Sequence, residues 1–173
     1  MPTLPLTQLY DMNQKKLAYL GLFASVAIIF GYVESLIPFF AGIPGMKLGL
    51  ANLMILFVLE KYRWKEAALV SLVRILIIGF LFGSGSSIMY SLAGAALSLF
   101  VMVMLKKHTT FSLLGVSVAG GVTHNIGQIL VAIPVTQTIS ILYYYAPLLM
   151  VSGVITGLLI GILTREVTCR IHL

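Results

Sequence analysis

The charged residues of this chain fall almost entirely in the gaps between six apolar runs, at about 17–37, 48–60, 66–82, 87–105, 111–133 and 141–164. In lipid every backbone polar group must find a partner inside the protein, which leaves helices or closed barrels. The runs exceed the roughly 9–11 residues of a barrel strand. With 60% hydrophobic and 9% charged residues, the chain has far less polar surface than a soluble domain, where charged residues make up about 25%. The expected fold is all-α: a polytopic membrane protein, a bundle of six transmembrane helices. Residues 1–14 read as an N-terminal tail, 15–168 as the transmembrane domain and 169–173 as a C-terminal tail. The second run is the weakest, because it barely spans unless the apolar segment before it contributes.

The basic residues orient the bundle. Lys15 and Lys16 precede the first run; Lys61, Arg63 and Lys65 join the second to the third. Lys106 and Lys107 join the fourth to the fifth, and Arg165 and Arg170 follow the sixth. Nine of the 11 Lys and Arg residues thus fall on one side. The opposite loops hold only Lys47, and Arg74 lies inside a run. By the positive-inside rule both termini are cytoplasmic and the protein is a multi-pass component of the cell membrane. The net charge of +6 is therefore topogenic, and without a continuous basic face it does not mark a nucleic-acid binder. The run after Lys16 is longer than a signal-peptide core of roughly 7–15 residues and no small-x-small site follows it, so it reads as an uncleaved helix. Cys169 is the only cysteine, which excludes an internal disulfide.

Enzyme signatures are missing. No GxxxxGK[ST] loop is present. His108 and His172 fall in cytoplasmic segments far from His124, so no metal-ligand cluster forms. The acids Asp11, Glu34, Glu60, Glu66 and Glu166 are scattered, whereas Mg²⁺-dependent diphosphate chemistry needs clustered carboxylates. The expectation is a non-enzyme without cofactor or metal.

Polar side chains inside a membrane are costly, which makes each one a functional candidate. Arg74 falls near the middle of the third helix. Counting about 1.5 Å per residue puts Glu34 near the outer end of the first helix, and His124, Asn125 and Gln128 in the outer half of the fifth. Lys47 lies in the first outer loop, Asn52 about one turn into the second helix, and Tyr90 and Ser91 at the outer start of the fourth. The candidate substrate-binding set is Glu34, Lys47, Asn52, Arg74, Tyr90, His124, Asn125 and Gln128. Such a pocket favours an anion, since the guanidinium fork suits oxyanions; the tyrosines offer surface to an apolar or ring-shaped body. Structural roles stand beside each assignment. Arg74 pairing with Glu34 as glue, His124 as a packing residue, Lys47 as a solvated loop charge and Tyr143–Tyr145 as an interfacial belt all fit the same residues.

Small residues recur at helix-packing spacing. Gly153, Gly157 and Gly161 do so on the sixth helix, Gly21/Ser25 and Ala27/Gly31 on the first, and Ser117/Gly121 and Gly115/Ala119 on the fifth. Packing within the bundle and docking to another membrane subunit both use such pairs.

Several stretches resemble the signature of the Gx transporter family, also labelled heptaprenyl diphosphate synthase component I. They are Pro44-Gly45-Met46-Lys47-Leu48-Gly49-Leu50-Ala51-Asn52, Arg74 to Gly83, Tyr90-Ser91-Leu92-Ala93-Gly94 with Ser98 and Met102, and Gly121-Val122-Thr123-His124-Asn125-Ile126-Gly127-Gln128. The resemblance runs from about 15 to 165. That family is similar in size and layout to the S components of energy-coupling factor transporters. The resemblance implies a subunit that captures a small solute from outside, here an isoprenoid or quinone precursor or a flavin-like amphiphile. It further implies docking on a transmembrane coupling subunit driven by two cytoplasmic ATPases. Docking would use the small-residue face of the first helix, where this chain has Gly21-xxx-Ser25 or Ala27-xxx-Gly31 in place of Ala-xxx-Ala. The synthase label implies instead an accessory subunit of a prenyl synthase, whose Asp-Asp-x-x-Asp sites are absent from this chain. Secondary transport without partners is a third reading.

Overall fold

The computed structural model describes residues 6–36, 48–137 and 140–171. Among these there are six helices and no strand: α1 (Leu6–Leu36), α2 (Leu50–Lys61), α3 (Trp64–Phe82), α4 (Gly85–His108), α5 (Leu113–Thr136) and α6 (Ser140–Arg170). Four contain stretches long and apolar enough to cross a membrane: Asn13–Leu36, Gly85–His108, Leu113–Thr136 and Tyr145–Arg170. Their outward faces expose Leu22, Phe100, Leu130 and Ile155, side chains that water would not tolerate in such density. This is an all-helical, multi-pass membrane protein.

α1 starts at Leu6, inside the segment expected as a tail, because no Pro or Gly interrupts the chain between there and Leu20. Without a breaker the helix propagates past the apolar run. α6 continues likewise to Arg170. The break between α3 and α4 is made by Ser84, whose hydroxyl accepts the Ser87 N–H while the Ser87 hydroxyl accepts the Ser84 N–H. This reciprocal cap satisfies donors that a helix start leaves open.

α2 has 12 residues, about 18 Å of helix against a hydrocarbon core of about 30 Å. It is nevertheless the centre of the protein: Ala51 and every residue from Leu53 to Leu59 are buried. A helix apolar all round belongs inside, and α1, α3 and α6 wrap this one. Phe23 of α1 meets Phe57 edge-on at 5.2 Å between centroids.

The second half is held by glycine. A Cβ on Gly121 would lie 2.5 Å from the Gly153 carbonyl oxygen, and one on Gly157 would lie 2.7 Å from the Val118 Cα. The Ser117 hydroxyl donates to the Gly157 carbonyl at 2.6 Å. The glycine repeat of α6 is therefore spent on α5, inside the bundle.

Ion pairs define one end of the bundle. Lys16 pairs with Glu66, and Lys106 pairs with Glu60 at 2.6 Å while also donating to the Leu59 carbonyl. The N-terminal part of α1, the α2–α3 junction and the end of α4 therefore meet there, bringing Lys16 and Lys106 to the same end. At the opposite end, the Leu50 N–H at the start of α2 donates to the Glu34 carboxylate at 2.9 Å.

Candidate functional site

Polar side chains from all six helices converge in the half of the bundle away from those ion pairs. Glu34 of α1, Asn52 of α2, Arg74 of α3, Ser91 of α4, His124, Asn125 and Gln128 of α5 and Thr156 of α6 line one cavity of about 50 Å³. Six of the eight expected binding residues are among them. Tyr90 is not: it stands one position from Ser91, and a single step along a helix turns the side chain by about 100°. Lys47 lies outside the described residues.

Each wall has a local cause. Gly49, at φ 76°, opens α2 in the left-handed region that favours glycine. Its carbonyl accepts the Asn52 N–H at 2.8 Å, and Asn52 stands one turn in. On α4, Gly94 lets the chain close on α5: a Cβ there would lie 2.8 Å from the His124 carbonyl oxygen and 3.0 Å from its ring. Gly127 returns the fit against the Ala93 carbonyl. The Tyr90–Gly94 and Gly121–Gln128 stretches are thus two sides of one seam, and the imidazole is set by it. Asn125 donates its amide to the Leu149 carbonyl of α6, so part of its capacity ties two helices together.

Glu34 and Arg74 are not in ion-pair contact, although they attract each other across the cavity that both line. The Glu34 carboxylate serves the α2 N-terminus, where the helix dipole favours negative charge. Arg74 reaches Asn52 Oδ1 only at 3.5 Å, the limit of a hydrogen bond. Its Nε is buried with no hydrogen-bond partner, and no ion pair forms on it among the described residues.

Two further cavities adjoin. One of about 40 Å³ continues inward past His124 towards Ser98, Ser117 and Met102. The other, about 240 Å³, lies between α1, α3 and α4 and shares Glu34, Arg74 and Ser91 with the polar one. Sequence reasoning passed over Thr156 and gave Ser91 no binding role. The available signal was their position on the small-residue faces of α6 and α4, next to Gly157 and Gly94.

The candidate docking residues separate by face. Gly21 and Ser25 are exposed, and a Cβ on Gly21 would meet nothing within 4 Å. Ala27 is fully buried, and Gly31 faces Ile78 of α3.

An all-helical membrane protein enclosing a hydrogen-bonding cavity, lined by one guanidinium and one carboxylate, is the class that fold and site define. Residues 23–167 match the family model described as heptaprenyl diphosphate synthase component I, and the chain belongs to that family. Together, family description and apolar helices fit a membrane protein linked to heptaprenyl diphosphate synthase. Comparison with curated proteins and with solved structures found no match.

Proposed function

We propose that this protein is the substrate-binding subunit of a transporter, similar to an S component of energy-coupling factor transporters. It captures a small anionic amphiphile, such as an isoprenoid or quinone precursor or a flavin-like solute, from the extracytoplasmic side. The observation that carries this reading is Arg74, a guanidinium without an ion-pair partner among the described residues, facing a cavity to which every helix contributes a polar side chain. A cation inside a membrane domain is costly, and an anionic ligand offsets that cost. Six spans cross the membrane in this reading, the second only with the contribution of the apolar segment that precedes α2, and both termini are cytoplasmic; the clustered basic residues support that orientation. Gly21 and Ser25 are the docking candidates for a coupling subunit and its ATPases, since their face is open.

Purification in mild detergent followed by mass spectrometry of co-purified small molecules tests the reading. Ligand retained at full affinity by Arg74→Ala and His124→Ala variants would end the site assignment. The family's description favours a second reading, a membrane accessory subunit of a heptaprenyl diphosphate synthase. That reading requires the purified chain to alter product length or rate when added to such a synthase. Uptake by the chain alone in liposomes under an ion gradient would favour a stand-alone secondary transporter.

A further inference from the structure

The volumes divide the labour between the cavities. The polar cavity, about 50 Å³, and the inward one, about 40 Å³, are several-fold smaller than the neighbouring chamber of about 240 Å³ and suit small polar groups or waters. The 240 Å³ chamber beside them takes the bulk of a ligand; another space of about 240 Å³, between α3 and α4, is lined by apolar side chains and Ser71 and has no charged residue to hold a head group. One wall of the first chamber is the apolar face of α3, formed by Ile75, Ile78, Gly79 and Phe82. Arg74 and Glu34 both line it; the Glu34 carboxylate is engaged by the Leu50 N–H, whereas the buried Arg74 Nε has no hydrogen-bond partner among the described residues.

We infer that the ligand is a short single-headed oxyanion amphiphile. Its carboxylate or phosphate lies on Arg74, and its apolar body runs along α3 in the chamber between α1, α3 and α4, with Ile78 setting the length accepted. This rests on the capture reading above and names the ligand class for it. His124, Asn125, Gln128 and Thr156 then hold the small polar substituents or waters beyond the head. Even with the polar cavity added, the chamber sits at the bottom of the roughly 300–1,000 Å³ usual for ligand pockets. A chain of seven isoprene units is too bulky to be enclosed. The product of a heptaprenyl synthase is therefore excluded as an enclosed ligand, while a short precursor is admitted.

Ile78 is the control point because it fills the space left by Gly31: a Cβ on that glycine would lie 3.1 Å from Ile78 Cγ1. Phe in its place shortens the chamber and Ala lengthens it. The test uses the full chain in amphipol and linear alkyl phosphates and carboxylates graded one methylene at a time from butyl to hexadecyl. Matched alcohols serve as neutral controls, and binding is read by native mass spectrometry and thermal shift. Expected are binding of short anions, no binding of alcohols and loss of binding in Arg74→Ala. The preferred length should shift upward in Ile78→Ala and downward in Ile78→Phe. The longest chain accepted by the parent should bind roughly 10-fold or more weaker to Ile78→Phe. Should Ile78→Phe not fold, Ile78→Ala and the parent's own length profile decide. Arg74-dependent anion binding with a length preference unmoved by the Ile78 variants would overturn the chamber assignment and leave the capture reading standing. If no anion binds and nothing co-purifies, both fall.

Discussion

The carboxylate of Glu34 accepts the backbone N–H of Leu50 at 2.9 Å, so the acid of one helix caps another that begins inside the protein. A helix start leaves several N–H groups open, and Gly49 offers no side chain to serve them. Glu34→Ala is expected to lower stability by about 1–3 kcal/mol, the worth of a part-buried hydrogen bond to a charged group. Glu34→Gln keeps an acceptor and loses mainly the charge–dipole attraction, about 0.3–1 kcal/mol. Thermal unfolding in detergent separates the two. Equal losses would show that charge, not capping, is what Glu34 supplies.

The glycines differ in what they permit. Gly94→Ala places a methyl group 2.8 Å from the backbone oxygen of His124, an obstacle that only a shift of α4 relieves. Overpacking of this kind costs about 1–3 kcal/mol, and it should also weaken ligand binding by displacing the imidazole. Gly21→Ala meets nothing and should be neutral or slightly stabilising. Unfolding midpoints of the two variants, compared with the parent, check both outcomes.

Much of this was legible because lipid penalises polar atoms. Six helices follow from six apolar runs, and Arg74, Asn52, Glu34, His124, Asn125 and Gln128 stand out against apolar neighbours. Depth can be counted along a helix at about 1.5 Å per residue, and those six do share a depth and a cavity. Azimuth could not be counted. A helix apolar on every side carries no periodic signal for which face turns inward, so the sequence does not separate Tyr90 from Ser91, which lines the cavity, or the buried Ala27 from the exposed Gly21. That Glu34 caps α2 instead of contacting Arg74 was equally hidden. It depends on where α2 begins, and that start is set by the backbone of Gly49 and not by a side-chain motif.

Lys16 and Glu66 join α1 to the α2–α3 junction from positions fifty residues apart. Lys16 is partly exposed, at 41% of its side-chain surface, so the pair is screened and worth about 0.2–1 kcal/mol. A double-mutant cycle with Lys16→Met and Glu66→Gln should return a coupling of that size. The coupling should fade in about 1 M salt, where the Debye length is roughly 3 Å. A coupling insensitive to salt would mean that the variants act by repacking Tyr62, over whose ring Lys16 also lies at 5.9 Å.

Arg74 sets binding against stability, and the two can be measured on the same variants. With Nε unpartnered among the described residues, Asn52 at 3.5 Å and Glu34 attracting it only from across the cavity, the guanidinium is incompletely compensated. Replacing such a charge by an apolar side chain of similar bulk should stabilise the unliganded protein, and Arg74→Leu is expected to raise its stability by roughly 1–3 kcal/mol. The same change removes the counter-charge for an anionic ligand, so stabilisation by added alkyl phosphate should vanish. Arg74→Lys keeps the charge without the fork and should restore binding only in part. Sites kept for function are commonly those where stability is given up. A parent protein more stable than Arg74→Leu without ligand would mean that the guanidinium has structural partners of its own, and Arg74 would then be a tie between helices.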